Sequence, residues 1–499
     1  MSRIDLAELR RRLADELAHR PLDVLVVGGG IVGAGIARDA AIRGLRTGLV
    51  EQHDLAFGTS SRSSRLLHGG IRYLAQGRIG LVLEASREKR VLHRIAPHLA
   101  EPLAFVFPTY RGTRWPLWKL RVGVKLYDLL CGGRNLGASS SIGPNAALRH
   151  VPGLEAAGLT GAVRYYDGLT SDARLVFDTL RSAAAHGAIV ANYTRLEAAT
   201  PKRGSWECRL ADVLAGRTFE VEARSVANAT GPWMETLPQA SIRLRLTKGV
   251  HLVIDRARLP VPDAVVMTDD RRILFAIPWG ERVILGTTDT DYDGPLDEPR
   301  TEPADVQYIL GVVGRAFPAA NLGPGDVRAT WAGLRPLVAD RRGGPSDISR
   351  AHQIRMPQPG WLDVAGGKLT TYRLIAQQAV DRLVAHLGCP PAPCRTAITP
   401  LSPCGRGAGG EGVEVPKELL SRASGILPPE PSPELVQHFC TNEWAVHLDD
   451  VMLRRTGWHY YRDDARHVAQ QVAAWMAAIF GWDPAETESE QARYQQLVM

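Results

Sequence analysis

The sequence predicts an α/β protein in which a discontinuous nucleotide-binding domain is combined with an α+β domain and a C-terminal helical unit. Three observations predict this fold class. A strand runs into a glycine-rich turn and a helix near the N-terminus, similar strand-glycine segments recur far downstream, and Gly- and Pro-rich stretches set off the C-terminal part. At 499 residues, with 45% apolar and 23% charged residues, the chain is long enough for several domains with large cores.

The charge and cysteine content limit the class of protein. A net charge of +7 favours anionic partners such as phosphates, nucleic acid or a membrane surface. The six cysteines form no CxxC pair and no ligand cluster, which predicts a reduced, cytoplasmic chain without a metal site. No apolar stretch reaches the roughly 18 residues of a spanning helix, and no signal peptide is recognisable, so we expect a soluble or peripheral protein.

The N-terminal segment carries the clearest motif. Residues 1–20 have the apolar spacing of a leading helix, and "DVLVVGGG", an alanine-rich helix and "RTGLVE" then form a βαβ unit. Gly28, Gly30 and Gly33 have the dinucleotide spacing, and Glu51 closes the second strand, where its carboxylate accepts hydrogen bonds from ribose hydroxyls. This predicts a Rossmann-type domain, with FAD and NAD both open as the nucleotide.

Three further segments are candidate cofactor contacts, because each combines a turn with small or hydroxyl-bearing residues. They are "FGTSSRSS" with Thr59, Ser60, Ser61 and Ser64; "VANATGPW" with Thr230, Gly231 and Pro232; and "DVAGGKLTTYR" with Gly366, Gly367, Lys368, Leu369 and Thr370. The last one points backbone N–H groups and a cation at an electron-rich acceptor. Plain solvated turns and strand-to-helix connections are the alternative interpretation of all three.

The stretch "SSRLLHGGIRYLAQG", residues 63–77, has the apolar spacing of an amphipathic helix. Gly69 and Gly70 lie in its middle, and together they cost a helix about 2 kcal/mol relative to alanine. The segment therefore either tolerates this penalty or is not helical at that point.

Several of these motifs, in this order, resemble the FAD-dependent glycerol-3-phosphate dehydrogenases of the membrane-associated aerobic type, with glycerophosphate oxidases as close relatives. The resemblance runs from about residue 23 to residue 373, and "NEWAVHLDDVMLRRTG" is similar to the family's helical C-terminal domain. The motifs that carry it are "DVLVVGGGIVGAGIARDAAIRGL", "SSRSSRLLHGGIRYL", "NATGPW", "TKGVHLV", "IPWGERVILGTTDTDY", "WAGLRPL" and "GGKLTTYR".

The resemblance implies that FAD takes a hydride from sn-glycerol 3-phosphate, giving dihydroxyacetone phosphate, and that the electrons pass to a quinone. Arginines bind a phosphate in a bidentate manner, so Arg72 and Arg335 are the leading phosphate ligands, with Tyr73, Lys368 and Thr370 completing the pocket. We expect the glycine pair, with His68 beside it, to bring the backbone against the flavin.

A catalytic base is best supplied by histidine. His251 in "KGVHLV" is the candidate, although a strand histidine is also a common core residue. His68 is the second histidine, expected near the flavin, and Arg335 is an alternative group that polarises the substrate hydroxyl.

The segment "RGTRWPLWKLRVGVKLYDLL", residues 111–130, mixes basic and aromatic residues. This composition fits a helix on an anionic membrane, where a quinone is met, while aromatics packed in the core are the alternative. We expect a cytoplasmic protein, either free or peripheral on the cytoplasmic face of the inner membrane. A homodimer stays open, and nucleic acid is not an expected partner.

We expect the following domain boundaries: an N-terminal helix, 1–20; the FAD-binding domain, 21–90, 160–240 and 325–395; the substrate domain with an antiparallel sheet, 91–159 and 241–324; a linker region, 396–436; and the C-terminal helical domain, 437–499. Three rival functions stay open: a glycerophosphate oxidase that uses dioxygen, a flavin amine oxidase of the same fold, and a nucleotide-sensing protein that binds nucleic acid without turnover.

Overall fold

Two β-sheets organise the protein, as seen in a computed structural model. It describes residues 3–70, 78–131, 135–269, 272–339, 352–388, 390, 392–401 and 417–498. Strands and helices are numbered in chain order.

The first sheet is built around five parallel strands in the order β18-β10-β1-β2-β7, with β17 antiparallel on one edge and the β8-β9 ribbon paired to β10. Its strands are β1 (Leu22–Val27), β2 (Thr47–Val50), β7 (Ile189–Ala191), β8 (Thr194–Lys202), β9 (Ser205–Asp212), β10 (Arg217–Asn228), β17 (Gln353–Gln358) and β18 (Trp361–Ala365). From Val24 onward strand β1 is apolar on both faces, because Val24 and Val26 pack into one core cluster and Leu25 and Val27 into another.

Helices cover this sheet as the βαβ pattern predicts. Helix α2 (Ile31–Ile42) follows β1 and packs between α6 (Asp172–Ala185) and α8 (Tyr372–Leu387). Helix α1 (Leu6–Ala18) leads the chain, and its buried Arg10 forms an ion pair with Asp212 of β9 at 3.0 Å. The leading helix and the first βαβ unit agree with the sequence prediction.

The second sheet is antiparallel except for one parallel pair, β4 with β12. Its main path is β15-β11-β14-β13-β12-β4-β6-β3, with β16 paired to β11 and β5 to β6. Its strands are β3 (Leu66–Leu67), β4 (Glu101–Tyr110), β5 (Ser140–Ile142), β6 (Leu159–Leu169), β11 (Leu244–Asp255), β12 (Ala264–Asp269), β13 (Arg272–Trp279), β14 (Arg282–Gly286), β15 (Thr290–Asp291) and β16 (Val327–Val338).

One group of helices flanks the second sheet, and another forms the C-terminal unit. The helices beside the second sheet are α3 (Ile79–Ile95), α4 (Leu117–Leu130), α5 (Pro144–His150) and α7 (Pro303–Ala316). The C-terminal unit contains α9 (Lys417–Ala423), α10 (Pro433–Asn442), a π-helical turn (Asp450–Arg455), α11 (Trp458–Tyr461), α12 (Ala465–Phe480) and α13 (Pro484–Val498). Within the described part of the chain, none of the helices has the length and apolarity required to cross a bilayer.

Strand pairing corrects the expected segmentation in two places. Strands β3, β6 and β16 fall in the segments 21–90, 160–240 and 325–395 that we expected in the FAD-binding domain, but all three pair within the second sheet. The C-terminal unit also begins earlier than residue 437, because it includes α9 from Lys417 and α10 from Pro433. Periodicity does not reveal which sheet a strand joins, since both sheets bury their strands.

Buried ion pairs join the C-terminal unit to the first sheet's domain. The Asp54 carboxylate follows β2 and accepts hydrogen bonds from Arg454 at 2.5 Å and from Arg455 at 2.5 and 2.8 Å. Glu443 accepts from Arg174 of α6 at 2.6 and 2.8 Å. Burial opposes ionisation of Asp54, but the two arginines hold its pKa below the usual range.

Candidate active site

A cavity of about 930 Å³ lies at the carboxyl ends of the parallel strands. Its walls come from the residues after β1, β2, β10 and β18, which is where nucleotides bind in open α/β sheets. The opposite wall is formed by β11 and β16 of the second sheet. The cavity therefore lies between the two sheets, with room for a cofactor and a small substrate.

The glycine motif forms the turn between β1 and α2. Gly28 has φ +113°, a conformation that side chains rarely adopt, and a Cβ there would lie 2.5 Å from the carbonyl oxygen of Ala229. Gly33 faces the Gly28 carbonyl, so a side chain on it would push α2 away from β1. Gly28 and Gly30 line the cavity, whereas Gly33 only allows the close packing.

Glu51 lies beside this turn at the end of β2. Its carboxylate accepts the N–H of Gly29 at 2.7 Å and the N–H of His53 at 2.9 Å, and burial raises its pKa. These two bonds hold the carboxylate at the cavity wall.

The hydroxyl-rich loop is brought to the same cavity. Ser60 Oγ accepts the N–H of Ile31, the first residue of α2, at 3.0 Å, and the Thr59 hydroxyl donates to the carbonyl of Leu334 at 2.5 Å. Ser64 also lines the cavity. Ser61 borders a small separate cavity beside the C-terminal unit, and its role as a cofactor contact stays a prediction.

Residues of the other predicted cofactor segments also line this cavity. The remaining predicted residues that line the cavity are His68, Thr230, Gly231, Pro232, Gly366, Gly367, Lys368, Leu369 and Thr370. The Thr370 hydroxyl, predicted as a substrate contact, accepts the N–H of His68 at 3.0 Å and donates to its carbonyl at 3.2 Å. Thr370 therefore anchors the His68 backbone.

His251 and Arg335 project into the cavity from β11 and β16, and two glycines make space for them. A Cβ on Gly249 would lie 2.6 Å from the Arg335 guanidinium carbon, and one on Gly286 would lie 2.5 Å from the His251 ring. The strand glycines in "TKGVHLV" and "ILGTT" therefore form a flat surface under the two side chains.

The His251 imidazole is 2% exposed and stacks on Trp331, with ring centroids 5.2 Å apart. Its Nε2 lies 2.8 Å from the Ser64 hydroxyl, while Nδ1 has no hydrogen-bond partner among the described residues. Burial, reinforced by the charges of Arg335 and Arg65, lowers the pKa of His251 to about 3. The ring is therefore neutral at physiological pH.

Arg335 is partly exposed to the cavity. Its guanidinium donates to the Thr288 carbonyl and Asp289 carboxylate at 3.2 Å each, and to the Thr287 hydroxyl at 3.0 Å. These contacts fix the plane of the guanidinium beside His251.

The segment around the glycine pair differs from the predicted helix. Leu66–Leu67 form strand β3, and residues 68–70 continue without helical structure. Gly69 and Gly70 are not among the residues that line the cavity, and the space beside Gly69 is filled by the Tyr127 ring; contact of the pair with the flavin stays a prediction. Arg72 and Tyr73, the predicted phosphate ligands, lie outside the described residues.

Sequence reasoning missed Arg62. This side chain lines the cavity and packs over the Phe57 ring at 5.3 Å, and burial lowers its pKa. No carboxylate within the described ranges forms an ion pair with it. The available signal was that Arg62 is the single charged residue of "FGTSSRSS".

Comparison with known families gives a consistent result. The family described as FAD dependent oxidoreductase matches residues 23–373, and the C-terminal domain of alpha-glycerophosphate oxidase matches residues 432–487.

Named relatives cover most of the chain. Glycerol-3-phosphate dehydrogenase 2 of Mycobacterium bovis is 36% identical over 97% of this chain and 89% of its own length. The aerobic glycerol-3-phosphate dehydrogenase of Staphylococcus epidermidis is 36% identical over 77% of this chain and 71% of its own length.

Solved structures share the fold. The glycerol-3-phosphate dehydrogenase of Bacillus halodurans complexed with FAD superposes with a TM-score of 0.78 at 29% identity, covering 99% of this chain and 97% of that one. An L-alpha-glycerophosphate oxidase of Mycoplasma pneumoniae has the same fold at 16% identity, with a TM-score of 0.60 over 73% of this chain and 95% of that one. Sequence motifs, fold and cavity thus agree that the chain belongs to the FAD-dependent glycerol-3-phosphate dehydrogenase family of oxidoreductases.

Proposed function

We propose that the protein oxidises sn-glycerol 3-phosphate to dihydroxyacetone phosphate and that the electrons pass on to a quinone. The observation that carries this proposal is the juxtaposition, in one cavity, of a dinucleotide cradle with Arg335, Lys368 and a neutral His251. The relatives named glycerol-3-phosphate dehydrogenase support the choice of substrate.

The residues present fit FAD. The N-terminus of α2 offers N–H groups to the diphosphate, with Gly28 and Gly30 allowing close approach, and Glu51 would hold the ribose hydroxyls. The turns Thr230–Pro232 and Gly366–Leu369 would hold the ring system. When bound, FAD supplies the acceptor for the hydride that leaves the second carbon of the substrate.

The cations of the cavity would hold the substrate's phosphate. Arg335 presents a planar guanidinium fixed by Asp289 and Thr287, and Lys368 adds a charge from the turn after β18. Arg72 and Tyr73 remain proposed as further phosphate ligands. Arg62 adds a further cationic side chain to the cavity lining.

His251 would accept the hydroxyl proton as the hydride leaves. The proton would reach the neutral imidazole through Nε2, which lies 2.8 Å from the cavity-lining Ser64 hydroxyl, because Nδ1 is buried and has no partner in the described chain. A dianionic phosphate beside Arg335 offsets the positive charge that lowers the His251 pKa, and substrate binding therefore makes the base stronger. Arg335 would also stabilise the developing alkoxide.

An exposed apolar face supports peripheral membrane attachment. On α4, Trp118, Val122 and Leu129 are 67%, 63% and 71% exposed, and Leu83 of α3 is exposed as well. The basic residues on the same helix are Lys119, Arg121 and Lys125. This combination fits an anionic lipid surface, from which a quinone would be reached.

The alternative interpretation of this helix, that its aromatics pack in the core, holds for Tyr127, which is fully buried. Trp115 is partly buried against the same core. It does not hold for Trp118.

One experiment tests the reaction. The FAD-loaded protein is mixed with sn-glycerol 3-phosphate without air, and we expect loss of the oxidised flavin spectrum and its return on adding a quinone. Arg335→Ala should abolish the bleaching at low substrate concentration. Arg328→Ala is the matched control, because Arg328 lies on the same strand but pairs with Asp255 at the surface.

The rival functions give other outcomes. No bleaching would reject the proposed reaction, and return of the spectrum with dioxygen but not quinone would identify an oxidase. Bleaching by amines in place of the phosphate ester would identify an amine oxidase. A protein that stays colourless with FAD and binds RNA with a steep salt dependence would favour the nucleic-acid-binding alternative.

A further inference from the structure

Three buried side chains outside the cavity converge on the backbone of Gly69. Lys89 of α3 pairs with Asp167 of β6 at 2.7 Å, and the hydroxyl of Tyr127, on α4, donates to the same carboxylate oxygen at 2.5 Å. The N–H of Gly69 donates to Asp167 at 3.2 Å and to the Tyr127 hydroxyl at 3.0 Å. We call Lys89, Tyr127 and Asp167 the anchor cluster.

The anchor cluster is an ion pair and a hydroxyl that are all buried. Lys89 and Asp167 are 1% and 3% exposed, and a buried ion pair is often no more stabilising than apolar residues of the same size. Burial and the adjacent Asp167 charge raise the Tyr127 pKa well above its ordinary value, so the hydroxyl keeps its proton as a donor. The cluster presents a fixed acceptor to one backbone N–H.

Shape complementarity reinforces the hydrogen bonds. The Tyr127 ring occupies the position that a side chain on residue 69 would need, with ring carbons 2.8 Å from an ideal Cβ. Tyr127 therefore requires glycine at position 69.

The neighbouring residue is held from the other side. The His68 N–H donates to the Thr370 hydroxyl, which in turn donates to the His68 carbonyl. His68 lines the cavity and Gly69 does not, so the chain passes from the cavity wall to the anchor cluster within one residue.

We propose that the anchor cluster positions the His68–Gly69 backbone, and through it the cavity wall where the flavin binds. Lys89, Tyr127 and Asp167 are positioning residues, because none of them lines the cavity. Part of the test rests on the proposed function, since turnover is measured with sn-glycerol 3-phosphate, but the main readouts do not depend on the substrate.

The test compares Tyr127→Phe with Tyr165→Phe. The Tyr165 ring is an edge-to-face neighbour of Tyr127, with centroids 6.3 Å apart, and its hydroxyl makes no hydrogen bond to residues 68–70. Each variant is titrated with FAD as apoprotein, and the visible spectrum, the flavin reduction potential and the thermal midpoint of the loaded protein are recorded. We expect Tyr127→Phe to weaken FAD binding about tenfold, the size of one buried hydrogen bond, and to shift the potential.

Tyr165→Phe should match the wild type in FAD affinity and potential. Turnover of Tyr127→Phe should fall in kcat more than it rises in KM, because the flavin and not the phosphate site is displaced. Asp167→Asn, which keeps the shape but removes the charge, should give a larger change of the same kind and provides a second variant if either protein is poorly folded.

Three outcomes separate the possibilities. A Tyr127→Phe protein with a lower thermal midpoint but unchanged FAD affinity and potential would overturn the proposal and leave a purely structural cluster. Equal effects in both tyrosine variants would overturn it too. A wild type that does not oxidise sn-glycerol 3-phosphate, together with the expected FAD effects, would refute the proposed function while supporting the anchor cluster.

Discussion

The protonation of His251 makes the dependence of stability on pH predictable. In the fold its pKa is about 3, mainly because the ring is buried, whereas an exposed histidine in the unfolded chain titrates near 6.5. As the pH falls below 6.5 the unfolded chain therefore binds a proton that the folded protein does not. The free energy of unfolding decreases from pH 6.5 toward pH 3 and is independent of this residue above about pH 7.5.

The magnitude follows from the two pKa values. Each pH unit between them corresponds to about 1.4 kcal/mol, so lowering the pH from 7.5 to 5.0 should cost about 2 kcal/mol through His251 alone. His251→Gln retains an amide nitrogen able to reach Ser64 but does not titrate. Between pH 7.5 and pH 5.0 the unfolding free energy of the wild type should therefore fall by about 2 kcal/mol more than that of the variant.

Urea unfolding at both pH values, with the same FAD concentration throughout, measures this difference. The same pKa predicts that kcat/KM has no inflection near pH 6.5 caused by His251, since that parameter reports the free enzyme. Equal pH dependence of stability in wild type and His251→Gln would refute the reasoning. So would a kcat/KM inflection near pH 6.5 that disappears in the variant.

Three further predictions follow from single contacts. Gly69→Ala should weaken FAD binding because its Cβ overlaps Tyr127; the same change should weaken binding less in a Tyr127→Val background, and an equal loss in both backgrounds would exclude this collision as the cause. Asp54→Asn leaves Arg454 and Arg455 buried without a carboxylate between them, and chemical denaturation should show an unfolding free energy lower by about 3–5 kcal/mol. The control Asp326→Asn, which breaks an exposed pair with Arg258, should not show this loss. Trp118→Ser with Leu129→Ser should reduce sedimentation with anionic lipid vesicles while leaving anaerobic flavin bleaching unchanged; vesicle binding equal to wild type would refute α4 as the contact.

The local elements were predictable because their signals lie within a few residues. The strand, glycine turn and helix around Gly28 form as the motif indicates, since the positive φ of Gly28 and the contact of Gly33 with the Gly28 carbonyl are both local to one βαβ unit. Helix α12 ends at Gly481, which takes φ +76° and so allows the chain to leave the helix. Family membership was also predictable, because it depends on ordered motifs and not on distances.

The candidate site was predictable only in part. His251 and Arg335 were identified by residue type, and both line the cavity, but their catalytic and binding roles stay predictions. Ser61 borders a different cavity from Ser60, because a neighbour in sequence can face the opposite side of a loop. Arg62 was missed since its burial depends on Phe57 and on the strand that carries Gly333.

By itself the sequence determined the βαβ nucleotide motif, the leading helix, the C-terminal helices and the family, because these depend on local spacing and residue type. The tertiary structure decided which sheet β6 and β16 join, why residue 69 is glycine, and where Asp54 finds Arg455, 401 positions away. It also decided that His251 is neutral, because a pKa is set by burial and by charges from distant segments. Such contacts join residues that no local pattern relates, and so they exist only once the chain has folded.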